Sequence, residues 1–283
     1  MEKIWKTSRR EISYSGRTLI IGILNVTPDS FSDGGKFSSV DNALRQAEKM
    51  ISEGADILDI GGESTRPGGE RISAEVEISR VIPVVEAVSR QFEIPISIDT
   101  SKSEVAERAI ESGAEIINDI SGLTFDDSIG GVAARKGAAL ILMHLRGSFS
   151  KMHSQKPVEN VLLEVQSGLR ESIERAKNYG VERDRICIDV GIGFSKSFEQ
   201  NLELIAKLGK IKETFLGYPI LLGTSRKSFI GKILGEETPS ERIFGTIATN
   251  VIGGWNGANI VRVHDVKPIA DALRVLDAIK NEL

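Results

Sequence analysis

Eight short apolar runs recur along the 283-residue chain, each followed by a longer segment of helical periodicity, and this alternation limits the fold more than any other feature. The runs are Leu19–Leu24, Ile57–Ile60, Ile96–Ile98, Ile116–Ile117, Ala139–Met143, Ile186–Ile188, Ile220–Leu222 and Asn259–Val263. They are rich in Ile, Leu and Val and mostly apolar throughout, as strands covered on both faces are. Between them apolar residues return every three or four positions. The sets are Leu44, Ala47 and Ile51; Val81, Val84, Val85 and Val88; Leu202, Ile205 and Leu208; Ile243, Ile247 and Val251; and Ile269, Leu273 and Leu276. Each makes a stripe that a helix lays on a sheet. Gly54, Gly113, Gly137 and Gly180 stand where helices should stop before the next strand. Pro83, inside one helical pattern, predicts a kink or a late helix start. About eight strand–helix units running one way predict an α/β fold, a (β/α)8 TIM barrel in a single domain over residues 1–283. The rival is a doubly wound open sheet, which usually carries Gly-x-Gly-x-x-Gly after its first strand. Here that strand runs into Asn25-Val26-Thr27-Pro28, and Gly191-Ile192-Gly193 lacks the third glycine. A P-loop is absent too, since Ile233 follows Gly231-Lys232.

Composition narrows the function classes. Lys plus Arg is 36 and Asp plus Glu is 40, a formal charge of −4, whereas a nucleic-acid binder shows a basic excess. The single cysteine, Cys187, excludes a disulfide framework or a multi-cysteine metal site, and between Ile186 and Ile188 it reads as a small core residue. Met1 to Arg10 is charged with no apolar run behind it, unlike a signal peptide. The longest uncharged stretch, Ile243–Val261, is about long enough to span a bilayer. It carries Asn250, Asn256, Asn259 and four glycines, however, and reads as a buried helix, a turn and the start of a strand. The expectation is a cytoplasmic protein without membrane or nucleic-acid partners.

Polar residues gather where the strands end. Asn25 follows the first run, Asp59 lies in the second, Asp99 ends the third, Asn118 the fourth, His144 the fifth and Asp189 the sixth. Ser225, Arg226 and Lys227 follow the seventh, and Arg262 and His264 sit at the eighth. Taken alone, an aspartate at a strand end commonly caps a helix, though Thr100, Ser101 and Ser103 are better placed to do so than Asp99. Met143 alone reads as core filler, and His153 reads as a surface-loop residue. Buried ionised groups are costly unless paired, so eight coincidences outweigh the single-residue readings. In a (β/α)8 barrel these strand ends form the rim of one pocket. Asp99, Asn118 and Asp189 suit a flat heterocycle with several N–H donors. Lys227, Arg262 and His264, with Arg66 from a loop, form a donor sector that suits phosphate or pyrophosphate. Asn25 is a neutral oxygen donor of the kind Mg²⁺ uses beside phosphate oxygens, and no His/Cys cluster for zinc is present. Two Gly- and Ser-rich loops, Thr27–Gly35 and Gly61–Gly69, read as lids over a substrate.

At this point the motifs match a family. Gly22-Ile23-Leu24-Asn25-Val26-Thr27-Pro28-Asp29-Ser30-Phe31-Ser32-Asp33-Gly34-Gly35 resembles the first signature of the dihydropteroate synthases, and Asp59-Ile60-Gly61-Gly62-Glu63-Ser64-Thr65-Arg66-Pro67-Gly68 resembles the second. Ser97-Ile98-Asp99-Thr100, Ile117-Asn118-Asp119-Ile120, Leu142-Met143-His144, Ser225 to Gly231 and Arg262-Val263-His264-Asp265-Val266 follow in family order. The resemblance implies that 6-hydroxymethyl-7,8-dihydropterin pyrophosphate and 4-aminobenzoate give 7,8-dihydropteroate and pyrophosphate, a step of folate biosynthesis that sulfonamides block. It implies pterin contacts from Asp59, Asp99, Asn118, Met143, Asp189 and Lys227. It puts pyrophosphate against Asn25, Thr65, Arg66, Arg262 and His264, with Mg²⁺ near Asn25. It puts aminobenzoate by Thr65, Pro67, Phe194, Ser225 and Lys227, and the catalytic weight on Lys227, Arg262, His264, Asp99 and Arg66. The family is commonly a homodimer. One departure stands out: where the family usually has Asp-Pro-Gly-Phe-Gly-Phe, this chain has Asp189-Val190-Gly191-Ile192-Gly193-Phe194.

The reaction so implied is dissociative. The aniline nitrogen is a weak nucleophile, so cations and Mg²⁺ help pyrophosphate depart, and carboxylates stabilise the positive methylene left behind. Two alternatives share the pterin sector. A methyl-transferring pterin barrel would need no pyrophosphate clamp, yet Ser225-Arg226-Lys227 and Arg262-Val263-His264 are present. A pterin-binding paralogue without turnover predicts damaged loops, and both loop signatures are intact.

Overall fold

The structure, a computed structural model, describes residues 3–27, 36–66, 68–236 and 238–282. A two-stranded antiparallel hairpin comes first, β1 (Ile4–Lys6) against β2 (Glu11–Ser13), with Trp5 opposite Ile12. Eight parallel strands follow: β3 (Leu19–Asn25), β4 (Ile57–Gly61), β5 (Ile96–Asp99), β6 (Ile116–Asp119), β7 (Ala139–Met143), β8 (Ile186–Asp189), β9 (Ile220–Leu222) and β10 (Ile260–Val263). Each pairs with its sequence neighbours and β10 returns to β3, so the sheet closes into a barrel. The predicted (β/α)8 fold is therefore present. All eight predicted strands form, most of them one or two residues longer than the apolar run. Asn259 stays just outside β10, where its side-chain oxygen accepts the Ile220 N–H at 3.1 Å.

The helices lie outside: α1 (Lys36–Glu53), α2 (Ala74–Gln91), α3 (Ser103–Glu111), α4 (Ser128–Lys136), α5 (Val161–Asn178), α6 (Phe198–Ala206), α7 (Leu208–Thr214), α8 (Ser228–Leu234), α9 (Ile243–Trp255) and α10 (Val266–Lys280). Alternation along each strand sends odd and even side chains to opposite faces. Ile20, Leu58, Ile60, Ile98, Ile117, Leu140, Ile188, Leu222 and Val261 join the outer core under the helices. Leu19, Ile21, Ile57, Ile116, Ala139, Ile141, Cys187, Leu221 and Ile260 fill the barrel itself. The same parity carries upward to the inward positions at the C-terminal ends: Asn25, Asp59, Asp99, Asn118, Met143, Asp189 and Arg262. One period-two rule thus packs the bottom of the barrel and polarises its rim.

Three features depart from the sequence reading. The hairpin was not legible, because three-residue strands of mixed polarity carry no period. It plugs the bottom of the barrel with Trp5 and Tyr14, the Trp5 indole N–H donating to the Arg185 carbonyl at 3.0 Å. Pro83 does not mark a late start: α2 begins at the Ser73 cap and continues past it. The carbonyl that its missing N–H would have met belongs to Ser79, an exposed residue, so that carbonyl is not walled off in the core. The third is α9, which is only half buried: Phe244, Ile252 and Trp255 are exposed, and Ile252 and Trp255 line one surface groove with Val275 and Ile279 of α10. Among the described residues no helix is long and apolar enough to cross a membrane.

Trp5→Ala should lower the unfolding free energy by about 3–5 kcal/mol, the cost of an unfilled core. Urea denaturation measures it, and a loss below about 1 kcal/mol would contradict the plug.

Candidate active site

The rim is organised around one guanidinium. Arg262, near the end of β10, donates from Nε to Asp59 Oδ2 at 2.6 Å and from Nη2 to Asp99 Oδ2 at 2.7 Å. Asn118 adds an N–H to the same Asp59 oxygen at 3.0 Å. The other one, Asp59 Oδ1, is buried without a protein partner. Strand register builds this cluster: Asp99 lies between Gly61 and Asn118, Asp59 beside Ile23, and Arg262 beside Ile21. The sequence put Arg262 in the cationic sector and Asp99 in the acceptor sector; the structure joins the two sectors at this residue.

Burial sets the charges. It pushes the Asp99 carboxyl up to about 7; Arg262 opposes the shift, and Asp59 and Glu77 add to it. Burial also raises Asp189, against the Gly191 N–H and Lys227. Lys227 is pushed down to about 8 by burial, with Asp189 resisting. His264 falls to about 3 through burial and the neighbouring Arg226, Arg262, Arg66 and Lys227. Burial and the surrounding cations therefore favour the neutral imidazole at His264, which can still serve the donor sector through one ring N–H. The Ser225 hydroxyl accepts the His264 backbone N–H at 3.2 Å and stands 3.0 Å from Nδ1. If that hydroxyl donates to Nδ1, Nε2 keeps the ring proton as a neutral donor.

Two turns hold the remaining groups. After β8, Asp189 Oδ1 accepts the Gly191 N–H at 2.7 Å and Asn201 accepts the Gly193 N–H at 2.6 Å. Gly191 (φ +70°) and Gly193 (φ +83°) are left-handed, and a Cβ on Gly191 would collide with the His144 carbonyl. Val190 and Ile192, the departures from the family motif, are buried in the outer core, and the turn closes with them. The turn lays the Phe194 ring 4.2 Å from Lys227 Nζ. Behind it, Lys196 bonds the Phe194 carbonyl at 2.9 Å and His144 Nδ1 at 3.1 Å. After β9, Arg226 is left-handed (φ +58°), a strain of about 1–2 kcal/mol. A two-pronged pair with Asp265, at 2.9 and 2.6 Å, holds it there. Ser225–His264 and Arg226–Asp265 thus tie the loop that carries Lys227 to the one that follows Arg262. No sequence signal singled out Asp265 or Lys196, because each acts through a contact between distant loops.

Of the two lid loops, residues 28–35 and Pro67 lie outside the described residues. The base of the second is fixed by a buried triad: Lys102 Nζ meets Glu63 at 2.8 Å and Glu77 at 2.6 Å, and Glu63 also accepts the Ile72 N–H at 2.8 Å. Thr65 is half-buried and Arg66 exposed at its tip. Met143 belongs not to the barrel core but to an apolar rim cluster with Ile120, Leu145, Phe149, Met152 and Phe194. The rim therefore has a flat apolar wall, buried acceptors beneath it, and cations at its open side. Among the described residues no three His, Cys, Asp or Glu side chains come together to hold a metal.

Known proteins resemble this chain in sequence and fold. The model of the pterin binding enzymes matches residues 21–264. The dihydropteroate synthase of Clostridium beijerinckii is 50% identical over 275 residues, covering 97% of this chain and 98% of that one. Among solved structures, dihydropteroate synthase of Xanthomonas albilineans with 4-aminobenzoic acid superimposes with a TM-score of 0.92 at 39% identity, covering 99% of both chains. That of Clostridium difficile in the presence of pteroic acid gives 0.87 at 46% identity, over 93% of this chain and 97% of that one. The chain belongs to the pterin-binding enzymes, and within them to the dihydropteroate synthase family, transferases of folate synthesis.

Asp99 gives a pH test. A carboxyl raised from 3.8 to about 7 binds its proton more tightly folded than unfolded. Its stabilising contribution is complete below the unfolded value and is lost as pH rises through about 7. Asp99→Asn removes that loss, so the stability of wild type relative to the variant should fall between about pH 4 and pH 8. Urea midpoints across that range measure it; a pH-independent difference would contradict the shift.

Proposed function

We propose that this chain joins 6-hydroxymethyl-7,8-dihydropterin pyrophosphate to 4-aminobenzoate, giving 7,8-dihydropteroate and pyrophosphate, in the cytoplasm. The observation that carries the reading is the buried Asp59–Arg262–Asp99 cluster with its unmet acceptor, Asp59 Oδ1. A pterin edge offers several N–H donors in one plane, and acceptors fixed in advance by Arg262 and Asn118 suit it. Asp189 extends the acceptor row, Lys227 supplies a donor to the ring, and Met143 packs against its face.

Pyrophosphate lies toward Arg66, Thr65, Asn25 and the neutral His264, with Arg262 shared between the two groups. The residues fit Mg²⁺ as a partly hydrated ion: Asn25 offers one hard oxygen, and the substrate's own phosphate oxygens complete the donors. Bound there, the ion supplies neutralising charge to the departing pyrophosphate. In the bond change, the methylene C–O bond breaks with its electron pair leaving on pyrophosphate. The positive methylene is stabilised by Asp99 and Asp59, the aniline lone pair forms the C–N bond, and the ammonium proton passes to solvent. Thr65, Pro67, Phe194, Ser225 and Lys227 hold the aminobenzoate ring in line, which is the main source of rate for a weak nucleophile.

The outward apolar face of α9 and α10 supports a homodimer: Phe244, Ile252, Trp255, Val275 and Ile279 are between 48% and 79% exposed. Trp255→Glu should convert a dimer to a monomer by light scattering with turnover chemistry intact. A dimer unaffected by it would place the interface elsewhere.

The reaction is tested by pyrophosphate release with each substrate present or omitted. Release that needs both, with dihydropteroate formed, supports it. Pterin binding without aminobenzoate-dependent product would favour a binding paralogue or a methyl-transfer relative. Lys227→Ala should cut kcat/KM by about a hundredfold or more; a near-normal value would remove its assigned role.

A further inference from the structure

We propose that His153 is a positioning residue for the second substrate, a strut that joins three rim loops and fixes the outer wall of the aminobenzoate site. The inference rests on the reaction proposed above. Read from sequence as a surface-loop residue, His153 is indeed exposed, in the connection between β7 and α5. Its Nε2 nevertheless stands 2.8 Å from the Thr65 carbonyl, and its ring lies 5.2 Å from the Phe194 ring, tilted by 31°. A carbonyl only accepts, so Nε2 carries the hydrogen. Thr65 belongs to the second lid loop and Phe194 to the turn after β8, so one imidazole spans three loops. The Phe194 ring also lies beside Lys227 Nζ. A line of contacts therefore runs from His153 at the rim surface through Phe194 to Lys227.

The backbone under His153 is itself anchored. Met152 is buried, and its carbonyl accepts the Ser195 N–H at 2.6 Å, next to Phe194. Arg146 grips the Ser195 carbonyl at 2.6 Å and the Lys156 carbonyl at 2.8 Å, closing both ends of the connection. His153 thus projects from a fixed platform, and its two contacts are to two of the proposed aminobenzoate-wall residues.

Steady-state kinetics and hydrogen exchange on the full chain test this together. His153→Ala should raise KM for 4-aminobenzoate about tenfold, the combined worth of a hydrogen bond and an aromatic contact. The turnover number and KM for the pterin pyrophosphate should stay within about twofold. His153→Gln, which keeps a donor, and His153→Phe, which keeps a ring, should each recover part of the loss. Amides of residues 64–72 should exchange faster in His153→Ala at an unchanged melting temperature. An unchanged aminobenzoate KM, or a joint loss in every kinetic constant with lowered melting, overturns the strut. If the wild-type chain makes no product, the reaction fails on its own, and the exchange result decides the strut: unchanged protection of residues 64–72 in His153→Ala overturns it.

Discussion

The rim depends on a charge that cannot leave. Arg262 is held between the fully buried Asp59 and the largely buried Asp99, where removing one partner of such a cluster costs several kcal/mol. That cost fixes the geometry of the two carboxylates and of Asn118 before any ligand arrives. It also keeps a positive charge at the junction between the acceptor row and the cationic side. A substrate that is itself divided, with a flat donor-rich ring on one side and a polyanionic leaving group on the other, finds both environments already in place. Preorganisation of this kind is what electrostatic catalysis requires, since no reorganisation remains to be done as charge develops.

The surrounding structure serves that cluster. Closing eight strands into a barrel makes inward positions of different strands converge, and the register sets Asp99 beside Asn118 and Met143 beside Asp189. The hairpin plug seals the lower end, so the polar layer rests on a dry apolar one. On the open side, the left-handed Arg226 is strained, and the Asp265 pair that offsets the strain also aims Lys227. Strain kept beside a functional group and compensated by a specific contact is a recurring feature of active sites.

Much of this was legible in the sequence, for a physical reason. Strands buried on both faces must be apolar, so a charge in one is conspicuous. Asp59 and Arg262 stood out inside such runs and Asp99 and Asp189 at their ends, and it was the recurrence across strands that marked them; the side of the strand each occupies came from the structure. Cys187 was legible as core by the same rule. The pairing of Arg262 with carboxylates was not, because sequence shows which strand end a residue belongs to but not how far its side chain reaches across the barrel. The neutral state of His264 depends on how deeply the neighbouring loops bury it, which no local pattern records. His153 was correctly legible as a surface-loop residue, but its contact with Thr65, 88 residues away, is made by loop geometry and leaves no local signal. The hairpin and the helix that continues past Pro83 mark the same boundary between local propensity and tertiary context.

The account stands on Arg262 and Asp99 acting as one unit in recognising the pterin. A double-mutant cycle with Asp99→Asn and Arg262→Met, read as affinity for the dihydropterin, tests that most directly. Groups in one network are non-additive, with interaction energies of about 0.5–3 kcal/mol. The prediction is that the second substitution costs much less once the first is made, a coupling above about 1 kcal/mol. Additive losses would mean that the two side chains meet the ligand independently, and would contradict the preorganised cluster.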